Sequence, residues 1–304
     1  MVERRFGIGE WYGRSFVDLD LDERRALARL QLASGEQQVP PCPFLTAGGV
    51  QVRCWKPGGV CSLRQYERDD RGEAKIVPDG GRIRTTCPSR FEENGLIYRW
   101  IAGTVFGQDA VPVGQVNFLR RVALAGAGSD PVDQREGVGR IDNVLIIPGS
   151  DPLRWVAVEI QAVYFSGDAM RGDFNHIAGY RRRGIPFPAG RRRPDYRSSG
   201  PKRLMPQLMI KVPTLRRWGK RMAVVVDQDF FGAMGKMNTV NELSNCDVAW
   251  FVVGYSDDLH LAQGSVHLTT LEDSVQGLVA GEPVSLPEFE ERIKAKADRL
   301  GPGP

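Results

Sequence analysis

Apolar residues recur along this chain in two rhythms. In RIDNVLII and RWVAVEIQAV, on either side of PGSDP, β-branched residues dominate Asn143 to Ile147 and Trp155 to Val163, which predicts the two strands of a hairpin. MAVVVDQDF and VAWFVVGYS are unbroken apolar runs, as expected of central strands buried on both faces. Helical spacing marks LDERRALARLQLAS, FEENGLIYRWIAGTVFG and VGQVNFLRRVALAG. KRLMPQLMIKVPTLRRWGKR reads as a helix interrupted by its prolines. LEDSVQGLVAG and SLPEFEERIKAKADRL follow, the latter with a Ser cap and an acidic first turn. GAGSDPVDQREG reads as a linker. The mixture predicts an α/β fold, a sheet flanked by helices.

The first 90 residues fit neither rhythm well. FGIGEWYGRSF suggests a short strand or turn, and from Val39 to Pro88 the chain is rich in Gly, Pro and Cys. Such a segment is expected to be irregular, to bury little apolar surface and to need a staple. Two regions follow, 1–90 and 91–304, the second holding the sheet.

Four of the five cysteines fall in that first region, at Cys42, Cys54, Cys61 and Cys87. Four thiolates on loops are what a tetrahedral structural metal site requires. Metal binding would supply folding energy that apolar burial cannot. Sulfur ligation suits zinc or iron alike. Isolated buried thiols would instead lie among apolar runs, as Cys246 does in NCDVAWFVV.

The predicted hairpin interrupts its apolar pattern with polar residues. With its turn centred between Ser150 and Asp151, it pairs residues whose numbers add to 301. Asp142 then faces Glu159 with Cβ atoms about 5 Å apart. Gln161 projects from the same face, and Val156, Val158, Ile160 and Ala162 form the apolar opposite one. Carboxylates this close repel unless a cation lies between them. A divalent, oxygen-seeking Mg²⁺ or Mn²⁺ suits such a site. A register one residue off would point one acid outward, merely solvated.

Charge adds a partner. Residues 181–221 carry fourteen Lys and Arg against one acid, Asp195, so this segment is +13 in a chain of net +4. Basic charge on an otherwise acidic body suits a polyanion, although a solvated basic loop has the same composition. Arg191, Arg192, Arg193, Arg197, Lys202 and Arg203 are the candidate phosphate contacts. Asp227 and Asp229, a second acid pair at a strand end, read as structural for want of a third ligand. No phosphate-binding glycine motif occurs, and the three histidines have no Ser or Cys partner in sequence. No run of eighteen apolar residues and no secretory signal occur, so a cytoplasmic protein without membrane contact is expected.

Asp142 with Glu159-Ile160-Gln161 resembles the PD-(D/E)XK nuclease signature with Gln in the Lys position. CPFLTA at Cys42, followed by Cys54, Cys61 and Cys87 in CPSR, is similar to the NotI-like type II restriction endonucleases, as is the EIQ strand leading into YFSGD. IGEWYGRSF also resembles the start of that group, and the similarity runs from about residue 8 to 230. The resemblance implies a restriction-endonuclease-like mixed sheet with helices on both faces. It implies a homodimer that cuts both strands of a palindromic, GC-rich site in double-stranded DNA with Mg²⁺. Asp142 and Glu159 would carry that metal, the carbonyl of Ile160 would be a further ligand, and Gln161 would orient the attacking water. The four cysteines would hold iron and support DNA contacts. A cognate DNA methyltransferase is expected in the same system, with no direct contact implied. Two other readings stay open: a PD-(D/E)XK nuclease without sequence preference, and a metal-stapled DNA-binding protein that does not cut.

Overall fold

The N-terminal region is a sheet rather than the irregular segment expected. The computed structural model describes residues 2–33, 39–47, 49–78, 81–119, 139–279 and 284–300. Strand β1 (Arg4–Trp11) is followed by the short strand Arg14–Ser15 and helix α1 (Leu21–Leu32). Asp20 and Glu23 close a reciprocal capping box at the start of α1. A small hairpin, β2 (Pro41–Ala47) and β3 (Val50–Arg53), precedes β4 (Val60–Arg68), β5 (Ala74–Ile76) and β6 (Arg84–Thr85). β1, β4 and β5 pair side by side, Arg14–Ser15 extends the β1 edge, and β6 also pairs with β4.

Ile8, Trp11, Leu63 and Tyr66 form a core here that also takes in Phe174, Ile177 and Phe187 from beyond residue 90. The strands escape a periodicity reading because β4 buries polar residues as well as apolar ones. Its Ser62 Oγ donates to Glu10 Oε2 at 2.7 Å, on a fully buried strand face. Glu10 in turn receives Nε of Arg90 at 2.8 Å, and both side chains are buried. Arg90 also donates to Glu93 and to the carbonyl of Leu259, and its guanidinium lies 4.6 Å from the ring centre of Phe44 and 5.0 Å from that of Tyr255. One arginine thus ties together the N-terminal sheet, the β2–β3 hairpin and the C-terminal half.

After a 3₁₀ segment, Pro88–Gly95, comes α2 (Leu96–Phe106). The central sheet begins with β7 (Val111–Pro112), β8 (Asn143–Ile147) and β9 (Arg154–Ile160). Helix α3 (Arg171–Gly179) follows, then α4 (Met205–Arg217), with Pro206 in its first turn and Pro213 inside a continuous helix. β10 (Met222–Asp227), β11 (Val248–Tyr255), β12 (Leu261–Thr269), α5 (Leu271–Val279) and α6 (Leu286–Leu300) complete the chain. The six strands lie in the order β12-β11-β10-β9-β8-β7, with β9, β10 and β11 parallel and the outer pairs antiparallel.

Burial on both faces explains the unbroken apolar runs of β10 and β11. Val156, Val158 and Ile160 of β9 pack with Ile97 and Ile101 of α2 on one face. Ala157 packs with Leu208, Val212 and Leu215 of α4 on the other. Residues 113–119, expected to be helical, instead carry a two-residue strand, Val116–Asn117, paired to Arg140–Ile141. The rest of that helix reading and the whole linker lie outside the described residues. No helix among the described residues is long and apolar enough to cross a membrane.

A candidate nuclease active site

The β8–β9 ladder fixes the geometry of the site. Its pairs run from Ile147 with Arg154 to Asn143 with Val158, every one adding to 301. This is the register expected, and the register shifted by one residue does not occur. Asp142 bends away one residue past the last pair, and its Oδ2 accepts from the N–H of Ile160 at 3.4 Å. The Asp142 and Glu159 carboxyls come within hydrogen-bonding reach of each other. Burial, and then the Asp142 charge, push the Glu159 carboxyl up to about 7, while Lys211 pulls it down.

Lys211 was not foreseen as part of the site. It belongs to the apolar stripe of α4, between Leu208 and Val212, is 1% exposed, and places Nζ 2.6 Å from Glu159 Oε2. The sequence carries a signal for it, a lone charge at helical spacing among apolar residues, which composition alone merges into the basic run. Glu92 was missed too. Half-buried in the 3₁₀ segment that follows Cys87, it accepts from Tyr98 Oη at 2.7 Å, and its carboxyl is held above the usual range, chiefly by desolvation and further by the Asp142 charge. Tyr98 Oη in turn accepts from Asn143 Nδ2 at 2.7 Å, so this network runs to the residue beside Asp142.

Glu159 itself is covered by α4 and only 6% exposed, whereas Gln161 reaches open space. Nε2 of Gln161 donates to the carbonyl of Ala162 at 2.6 Å, which turns its amide oxygen free to accept. It lines a cleft of about 630 Å³ whose opposite wall is N-terminal, including Lys56, Thr86 and Pro88. Arg203 lines the same cleft with its guanidinium 4.5 Å from the ring centre of Tyr164. The N-terminal sheet is seated on the ends of the central strands by two backbone bonds of Thr85 and by its hydroxyl against Tyr255 Oη. The Thr85 carbonyl accepts from Val163 N–H at 2.8 Å, and its N–H donates to Asp227 at 3.2 Å.

Cys42, Cys61 and Cys87 are buried and Cys54 half-buried, all four as free thiols. Burial pushes the Cys42, Cys54 and Cys61 thiols up, while nearby backbone N–H groups pull them down, those of Phe44 and Leu45 at Cys42, Lys56 at Cys54 and Gly13 at Cys61. Such donors favour a thiolate. Gly13 has a φ of +74°, and a Cβ there would meet Pro43 Cγ at 2.3 Å, so only glycine lets this backbone approach. Neighbouring thiols, Cys87 among them, push the Cys42, Cys54 and Cys61 thiols further up, yet among the described residues no three His, Cys, Asp or Glu side chains converge to enclose a metal ion. The donor chemistry therefore suits a thiophilic metal, while the sulfurs as placed do not close around one.

A family model described as restriction endonuclease NotI matches residues 26–266, which takes in the four cysteines, the carboxylate pair and the basic segment. The chain belongs to the NotI restriction endonuclease family. No curated protein matches it. Membership makes this NotI-family chain a DNA-binding hydrolase, and the remaining side chains can be placed in that frame.

Arg191, Arg193, Arg197, Lys202 and Arg203 are exposed. Arg192 is buried, ion-paired with Asp173 and bonded to the carbonyls of Asp168 and Ala169, so it holds its own loop. Asp227 and Asp229 each hold contacts within the fold. Asp227 caps a short helix through Phe230 N–H at 2.7 Å, and Asp229 pairs with Arg84 at 3.0 Å.

Proposed function

We propose that the chain is a Mg²⁺-dependent, site-specific type II enzyme of the PD-(D/E)XK kind that hydrolyses both strands of a palindromic, GC-rich site. The approach of Asp142 to Glu159 across the hairpin carries this reading. It gathers two oxygen donors where charge repulsion is relieved by a hard cation. Asp142, Glu159 and the carbonyl of Ile160 would hold the ion, which when bound lowers the pKa of water and stabilises charge on a phosphoryl group. Gln161 orients the attacking water through its amide oxygen and, being neutral, takes no proton. Arg203, Lys56 and the exposed arginines of 191–197 grip the phosphate backbone. Plasmid DNA incubated with Mg²⁺ gives discrete bands on this reading. A smear would favour a nuclease without sequence preference, and binding without cutting in Mg²⁺ and Mn²⁺ would leave a DNA-binding protein.

The four cysteines hold one structural iron or zinc, drawn together when the metal binds. The backbone donors already aimed at three sulfurs support this, and no chemical step depends on it. Elemental analysis should find one iron or zinc per chain, lost in Cys54→Ser; native protein free of both contradicts the assignment.

Cutting both strands symmetrically calls for a two-fold pair of chains. Helix α6 suits that contact. Leu286, Phe289 and Ile293 are 68%, 54% and 51% exposed along one face. Glu288, Glu290 and Glu291 stand in its first half, while Arg292, Lys294, Lys296 and Arg299 outweigh the single acid Asp298 in its second. Antiparallel pairing with a second copy would set acid against base. Phe289→Asp should shift the mass measured by light scattering from dimer toward monomer. An unchanged dimer would place the interface elsewhere.

A further inference from the structure

We propose that Lys211 is the positioning cation of the active site, supplying from helix α4 the fixed positive charge that Gln161, an amide, does not supply from β9. The inference rests on the reading of Asp142 and Glu159 as the metal-binding pair.

Three observations carry it. An ammonium in the apolar stripe of a helix is costly unless it is paired, and Lys211 is 1% exposed there. Its partner is a carboxylate of the site itself, at 2.6 Å, rather than one of the surface acids within reach of other helix residues. The charges that act on Glu159 are Asp142 and Lys211, so this lysine is the cation set against the repulsion between the two carboxylates at Glu159.

The consequence is geometric. Lys211 takes Oε2 of Glu159 and so fixes the plane of the carboxylate, leaving Oε1 as the remaining donor. One cation against two carboxylates leaves the pair short of neutral, which keeps a divalent ion favoured. A salt bridge that only held α4 to the sheet could lie anywhere along the stripe and would have no bearing on the orientation of Glu159.

The full-length protein with Lys211→Gln tests the assignment, because glutamine keeps a hydrogen-bond donor and removes the charge. Single-turnover cleavage of plasmid DNA should fall about 100-fold or more, while Mn²⁺ affinity, read by electron paramagnetic resonance without DNA, stays equal or tightens as a repelling charge is lost. Gln161→Lys added to Lys211→Gln should recover part of the cleavage, a rescue that a purely structural role would not give. Lys211→Arg covers a glutamine variant that fails to fold: it keeps a charge but displaces it, and cleavage should fall at least about tenfold with Mn²⁺ binding intact. Cleavage within about threefold of the unsubstituted protein in either variant overturns the proposal. So does Mn²⁺ affinity that falls in step with cleavage, since the lysine would then hold only the fold. Failure of the unsubstituted protein to cut any DNA strikes the proposed function instead, and the Mn²⁺ measurement still reads Lys211 alone.

Discussion

Glu159→Gln should lower single-turnover DNA cleavage by about 10³-fold or more, equivalent to about 4 kcal/mol of lost transition-state stabilisation. The size follows from what the substitution removes, a charged oxygen donor from a pair that has only two. Glutamine is the informative replacement. Its amide oxygen can still accept from Lys211, whereas Glu159→Ala would leave that ammonium buried without its 2.6 Å partner and would mix an unfolding effect into the result. Affinity for DNA in Ca²⁺ should stay within about threefold, because the proposed phosphate contacts lie on Arg203, Lys56 and the exposed arginines of 191–197. Asp142→Asn should behave alike. Gel-based cleavage and filter binding of both variants check the pair together, and cutting by Glu159→Gln within about tenfold of the native rate would remove this carboxylate from the chemistry.

The second large effect concerns the junction rather than the site. Arg90→Ala should destabilise the fold by about 3–5 kcal/mol in urea unfolding, the cost of leaving a buried acid without its cation. Burial first, and then the Glu93 charge, hold the Glu10 carboxyl above its ordinary range even with Arg90 beside it, so removing the cation is severe. Glu10→Gln combined with Arg90→Ala should cost less than the two changes summed, since each removes the other's unpaired charge. A loss below about 1 kcal/mol in Arg90→Ala would mean that apolar contacts alone hold the N-terminal sheet to the central one.

Much of the catalytic half was legible in the sequence. Strands β8 to β11 carry β-branched runs that only a buried sheet accommodates, and a two-strand turn leaves little freedom of register, so Asp142 and Glu159 could be set opposite each other from numbering alone. The N-terminal sheet was not legible, because its strand β4 buries Ser62 against Glu10 and Arg90, and no periodicity of apolar residues reports a satisfied polar core. Lys211 and Glu92 were missed for a related reason. Each reaches the site from an element distant in sequence, and its role depends on packing that spacing does not encode. Arg192 shows the reverse error of composition, a charge in a basic run that folding turns inward onto Asp173.

The central claim is that Asp142 and Glu159 share one divalent ion. Crystals of the protein soaked in Mn²⁺ and measured at the manganese absorption edge test it most directly. The account predicts an anomalous peak between the two side chains, about 2.1 Å from an oxygen of each. Manganese bound elsewhere, with no peak between Asp142 and Glu159, would contradict it.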